Sequence, residues 1–180
     1  MVVGFLACKV DKSNDNQQTT FQRIVQNDAL RQNGPIYYRF PSSREMLQYI
    51  KNEELIYRTD LVNPTENMDH YNNTRTKSLN LGIYLADFFY MILFDRTTDI
   101  KEYFNAIVAL ASDLRISVPN EEEILQRVSE NLYNADSLTR IAESYHSGII
   151  DYLLTTNKEK TLAVISTGSY IEGLYISLNM

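Results

Sequence analysis

Apolar positions recur at helical spacing along most of the chain, and the breaks between runs carry turn and capping residues. Gly34-Pro35 breaks the chain, Ile36-Tyr-Tyr-Arg-Phe40 is short and β-prone, and Pro41 stops it. Ser42 or Ser43 can cap a first helix, with Met46, Leu47, Ile50 and Leu55 as its apolar face and an end near Tyr57. Asn63-Pro64-Thr65-Glu66 forms a turn, and a second helix starts between Asn67 and Thr74 and ends at Phe94. Its core, from Leu79 to Phe94, is apolar on nearly all sides, which predicts the central helix of a bundle rather than a surface helix. A membrane span is the competing reading, and Asn80 and Asp87 inside the run argue against it.

A third helix over Ile100 to Leu114 presents Tyr103, Phe104, Ile107, Leu110, Ala111 and Leu114 on one face. After Val118-Pro119, Asn120 opens a fourth, with Glu121, Glu122 and Glu123 where acids suit the helix dipole. Ile124, Leu125, Val128 and Leu132 form its apolar face, and Asn134-Ala-Asp136 turns the chain. A fifth helix spans about Ser137 to Leu154, Thr156-Asn157 ends it, and a sixth runs from Lys158 to about Leu178. About six helices on short turns, with no alternating strand pattern, specify an all-α fold, a helical bundle or array.

The two ends change the picture of where this domain works. Met1-Val-Val-Gly-Phe-Leu-Ala-Cys8 is an apolar run ending in small residues, followed abruptly by polar sequence. It resembles the end of a bacterial lipoprotein signal peptide, in which cleavage precedes the cysteine and lipid is attached to it. Phe5 departs from the usual residue at its position, and the basic segment that opens such signals is missing, which points to a truncated or misplaced start. The competing reading is a short buried element with an inert Cys8. Residues 9–35 are rich in Asn, Gln, Asp, Ser and Thr and read as a polar tether. The expected organisation is therefore a signal remnant over 1–8, a tether over 9–35 and a helical domain over 36–180. The chain is still apolar where it stops at Met180, which points to truncation there too.

Composition narrows the function classes. A chain of 180 residues fits one domain, and a net charge of −6 repels phosphate backbones, so no nucleic acid is expected as a partner. Its 13 tyrosines and absent tryptophan suit half-buried helix seams. Gly82-Ile-Tyr84-Leu-Ala-Asp87-Phe-Phe-Tyr90 is echoed about 86 residues later by Gly168-Ser-Tyr170-Ile-Glu172-Gly-Leu-Tyr175, with a one-residue offset at the acid. The echo is either a chance likeness of two apolar helices or the mark of two related helical hairpins. These strings, the longer Lys77-Ser-Leu-Asn-Leu-Gly-Ile-Tyr-Leu-Ala-Asp87, and Ser129-Glu-Asn-Leu-Tyr-Asn-Ala-Asp-Ser-Leu138 together resemble an uncharacterised family of helical bacterial lipoproteins over roughly residues 40–180. That resemblance implies an extracytoplasmic, lipid-anchored protein and no particular activity.

The candidate chemistry centres on two acids in apolar helices. Asn80, Tyr84 and Asp87 are spaced to share one helix stripe, and Ser169, Tyr170 and Glu172 follow Gly168 in the last helix. A lone buried carboxylate costs several kcal/mol unless it is paired or protonated. Candidates to satisfy Asp87 are tyrosine hydroxyls, Arg75, Arg140 or a helix N-terminus. Either both acids meet in a common pocket, as ligand anchors or an acid–base pair, or each belongs to a structural network or the bundle edge. Glu143-Ser-Tyr-His146 is half of a di-metal carboxylate motif whose other half is missing, so no metal is expected, and no cofactor is called for. Nucleophile elbows and phosphate loops are absent from the sequence. The expected function is a binding or scaffold module of the cell envelope, tethered to the membrane by lipid at Cys8, whose partner is an envelope protein or small ligand. The alternative is a hydrolase-like enzyme using Asp87 and Glu172.

Overall fold

The computed structural model describes residues 56–180, apart from the side chains of residues 97 and 98. The Cys8 signal, the tether, the β-prone segment and nearly all of the first predicted helix lie outside the described residues. Within them the protein is all-α: helices α1 (Thr74–Leu93), α2 (Thr97–Asp113), α3 (Glu121–Glu130), α4 (Ala135–Thr155) and α5 (Glu159–Asn179), preceded by 3-10 segments at Thr59–Leu61 and Thr65–His70. These five helices are the second to sixth of the predicted set.

Local chemistry sets their ends. Asn73 begins α1 with a capping box: its side chain accepts from the Thr76 N–H at 2.9 Å, and the Asn73 N–H donates to Thr76 Oγ1 at 3.3 Å. The predicted start between Asn67 and Thr74 thus resolves to its later limit, and the earlier residues form the second 3-10 segment instead. Asn134 caps α4 through the Ser137 N–H at 2.9 Å. Three helices end alike. Asp95, Arg115 and Asn157 take left-handed backbone (φ 52°, 53° and 56°), and the next residue's N–H reaches back to Met91, Ala111 and Leu153 respectively. This is the Schellman geometry that satisfies the last helical carbonyls.

α1 is the central helix. Tyr84 to Ile92 are all buried, and α1 packs on α2, α4 and α5, most extensively on α5. α2 runs antiparallel to α1, as the Lys77–Asp113 ion pair at one end and the Phe88–Phe104 ring contact (5.4 Å) towards the other show. α4 seals the base of α2 through the edge-on Phe104–Tyr145 contact at 5.2 Å, and Tyr145 donates across to Glu121 of α3 at 3.1 Å.

The α1–α5 contact depends on two glycines. A Cβ on Gly82 would stand 1.9 Å from the Ile165 carbonyl oxygen, and one on Gly168 would stand 2.0 Å from that of Leu79. Each obstructing carbonyl lies three residues before the opposing glycine. Because Cα–Cβ bonds tilt towards a helix N-terminus, this reciprocal pattern marks two parallel helices touching backbone to backbone. Arg58 confirms the direction: its N–H donates to Tyr90 Oη (3.0 Å) near the end of α1, and its guanidinium to the Asn179 carbonyl (2.6 Å) at the end of α5. The echoed strings therefore lie side by side and in register. A duplication of whole hairpins would need the helix predicted before α1, which lies outside the described residues.

Candidate functional site: a buried carboxyl pair

The register that brings Gly82 to Gly168 also brings together the acids that follow them. Asp87 is fully buried, and Glu172 is half-buried and within hydrogen-bonding reach of it. Burial pushes the Asp87 carboxyl well above its ordinary range, the Glu172 charge adds to that, and the Asn63 N–H opposes it. Burial also lifts Glu172, to about 7, while the hydrogen bond from Asp87 pulls it down. The same contact raises one acid and lowers the other, so the two carboxyls titrate as a coupled pair. Like charges at contact in an apolar setting cannot both ionise, and one shared proton is the low-energy state.

The oxygens of Asp87 have different fates. Oδ2 accepts from the Asn63 backbone N–H at 3.0 Å. Oδ1 is, among the described residues, the buried side-chain polar atom without an ordinary donor, which leaves it for the proton shared with Glu172. Asn63 is anchored three further ways. Its carbonyl accepts from Tyr103 Oη (3.1 Å), its side-chain N–H donates to Tyr71 Oη (2.9 Å), and its Oδ1 accepts from Asn67 (2.8 Å). Tyr84 donates to the neighbouring Pro64 carbonyl at 2.8 Å and lies 3.4 Å from Tyr71 Oη. Burial pushes the Tyr84 and Tyr103 phenols up, and Asp87 contributes to both, so they remain hydroxyl donors across the physiological range.

Of the sequence-derived candidates, Asp87, Glu172 and Tyr84 converge. Asn80 does not join them: its amide donates to the Thr76 carbonyl one turn back on its own helix, at 2.8 Å. Ser169 places its backbone N–H opposite Gly82, and Tyr170 is half-buried on the same helix. Neither Arg75 nor Arg140 satisfies Asp87; both are exposed, and Arg140 reaches only Ser137, at 3.5 Å. Sequence reading missed Asn63 and Tyr103. The donor from Asn63 is a backbone N–H, which any residue type would carry. Tyr103 reads in sequence simply as part of the apolar face of α2.

His146 is half-buried and pushed down by burial, so its imidazole is neutral at pH 7. Among the described residues no group of three or more His, Cys, Asp or Glu side chains could hold a metal, and no helix is long and apolar enough to cross a membrane. A cleft of about 270 Å³ lies between α2 and α3, where Lys101, Asn105, Gln126 and Ser129 surround Phe104. It is separate from the carboxyl pair. The other feature on α5 is an exposed apolar face of Ile171, Leu174, Tyr175 and Leu178, at helical spacing. No family model, curated protein or solved structure matches this chain.

Proposed function

We propose that this chain is a lipid-anchored binding or scaffold module of the bacterial envelope, held on the membrane through Cys8, and that its acid pair is an internal fastening rather than a catalytic couple. The observation that carries the non-catalytic part is the closure of Asp87: it has no exposed surface, and its hydrogen bonds run to Asn63 and Glu172 of its own chain. The aspartic proteases show that carboxyls sharing a proton can hydrolyse a substrate held in an open cleft, whereas Asp87 has no exposed surface for a substrate or its water to reach. The exposed face of α5 supports the binding part, since a contiguous apolar surface on a folded domain marks a contact site. The tether and the location rest on the Cys8 segment and the family resemblance.

Two experiments in the producing cell test the reading. With the gene at its own locus, wild-type protein should sediment with membranes and Cys8→Ser should appear in the soluble fraction; unchanged fractionation sinks the tether. Glu172→Gln should support whatever phenotype the gene confers as well as wild type does. Loss of that phenotype in a variant with unchanged circular dichroism would favour the hydrolase reading.

A further inference from the structure

We infer that the Asp87–Glu172 pair is a proton-gated latch, in which the protons held by the pair fasten the C-terminal half of α5 to α1 and their loss lets that half of α5 detach. The inference concerns the fold itself and holds whatever the module binds.

The geometry comes first. The two acids sit on parallel helices whose register the Gly82 and Gly168 contacts fix, so the buried Asp87 keeps Glu172 as its neighbour only while α5 is seated on α1. Asp87 Oδ1 is buried with no donor of its own, so the proton is what satisfies it. Glu172 lies next to Gly173, and a helical glycine costs about 1 kcal/mol relative to alanine, which weakens α5 just where it must give. Beyond this point α5 keeps Ile176 as its buried apolar side chain, while Leu174, Tyr175 and Leu178 face outward. Besides the latch, the buried Ile176 and the Arg58–Asn179 bond hold the end of the helix.

The ionisable groups around the pair offer no substitute for the proton. α1 supplies Tyr84, α2 supplies Tyr103, and the segment before α1 supplies Tyr57 and the Asn63 N–H. The tyrosines are neutral, each pushed up by burial, Tyr57 to about 12. The charge acting on Asp87 is that of Glu172, and no cation on α2, α4 or α5 offsets either carboxyl among the described residues.

The direction of the pH response follows. Both carboxyls bind their protons more tightly in the closed state than in solvent. The stabilisation is therefore complete below the ordinary carboxylate range and is lost as pH rises, the Glu172 share through about 7 and the Asp87 share above its ordinary range.

The test is amide hydrogen exchange on the full chain from pH 5 to pH 9, corrected for the intrinsic rise of exchange rate with pH. Protection of residues 172–178 should fall with pH while that of residues 84–92 holds. Each carboxyl contributes a fall of about tenfold per pH unit within its window. Glu172→Gln should make the fall between pH 5 and 7 shallower by about that factor per unit. Equal slopes in the two proteins, or a loss of protection spread evenly over α1 and α5, would overturn the latch. If the variant does not fold, carboxyl carbon shifts in the wild-type protein decide: a Glu172 midpoint near 7 and an Asp87 midpoint well above the ordinary carboxylate range are expected. Midpoints in the ordinary carboxylate range for both would overturn the inference.

Discussion

Asp87 does two jobs with one side chain, and substitutions separate them. Asparagine keeps an oxygen for the Asn63 N–H and offers an N–H to Glu172, so Asp87→Asn should cost no more than about 1 kcal/mol at pH 7. Alanine leaves a buried N–H unpaired, an unmatched Glu172 and a void, which together should cost about 3 kcal/mol. Urea unfolding of both variants checks this contrast, and a cost for alanine as small as that for asparagine would mean that water reaches the site. How far the site can be read from sequence follows from the same atoms. A carboxyl inside an apolar helix announces that it needs a partner, and the echo around Gly168 nominates Glu172. Asn80, Tyr84 and Asp87 share a stripe by spacing, yet Asn80 turns back to Thr76, because a backbone acceptor one turn away is always within its reach. Spacing assigns a helix face but does not say which hydrogen bond a side chain on it will choose.

At the scale of the element, the helices follow from apolar periodicity and caps, and the close approach of α1 to α5 follows from glycine. Two substitutions test these causes with opposite signs. Gly82→Ala gains helix propensity worth about 1 kcal/mol, but its Cβ would stand 1.9 Å from a carbonyl oxygen of a rigid helix. The helices must separate, so the net effect should be a loss of about 2 kcal/mol or more, read as a lower thermal midpoint. A neutral or stabilising result would show that α5 is not seated on α1 at this point. Arg115 points the other way. Its left-handed backbone costs an L-residue about 1–2 kcal/mol, and its side chain is exposed. Arg115→Gly removes that strain, although glycine adds freedom to the unfolded chain. The balance should be a gain of somewhat under about 1 kcal/mol. Asp95 and Asn157, at the matching positions of α1 and α4, are residue types that tolerate this conformation, and sequence marks both as turns. Arg115 carries no such mark, because the Schellman bonds around it are made by backbone alone.

At the scale of the molecule, α1 is buried on every side, which its sequence states, while α5 is apolar on every side and buried on one only. Pattern alone could not distinguish the two, since the sequence of α5 lacks the polar face that would tell inside from outside. The difference is positional: among the described residues α1 is enclosed by α2, α4 and α5, whereas α5 reaches the rest of the fold through Leu162, Ile165, Gly168, Gly173 and Ile176 and no described residue covers its opposite face. That asymmetry gives a paired prediction. Leu178, with 75% of its surface exposed, should accept glutamate with a change in stability within about 0.5 kcal/mol. Ile176, fully buried two residues earlier, should lose about 2–4 kcal/mol on truncation to alanine. Thermal unfolding of the two variants at one pH measures both. A large loss from Leu178→Glu would mean that the outer face of α5 is covered in the folded chain and cannot be the contact surface of a binding module. A small loss leaves that face free, and any partner that docks there should then bind Leu178→Glu more weakly than wild type while the fold stays intact.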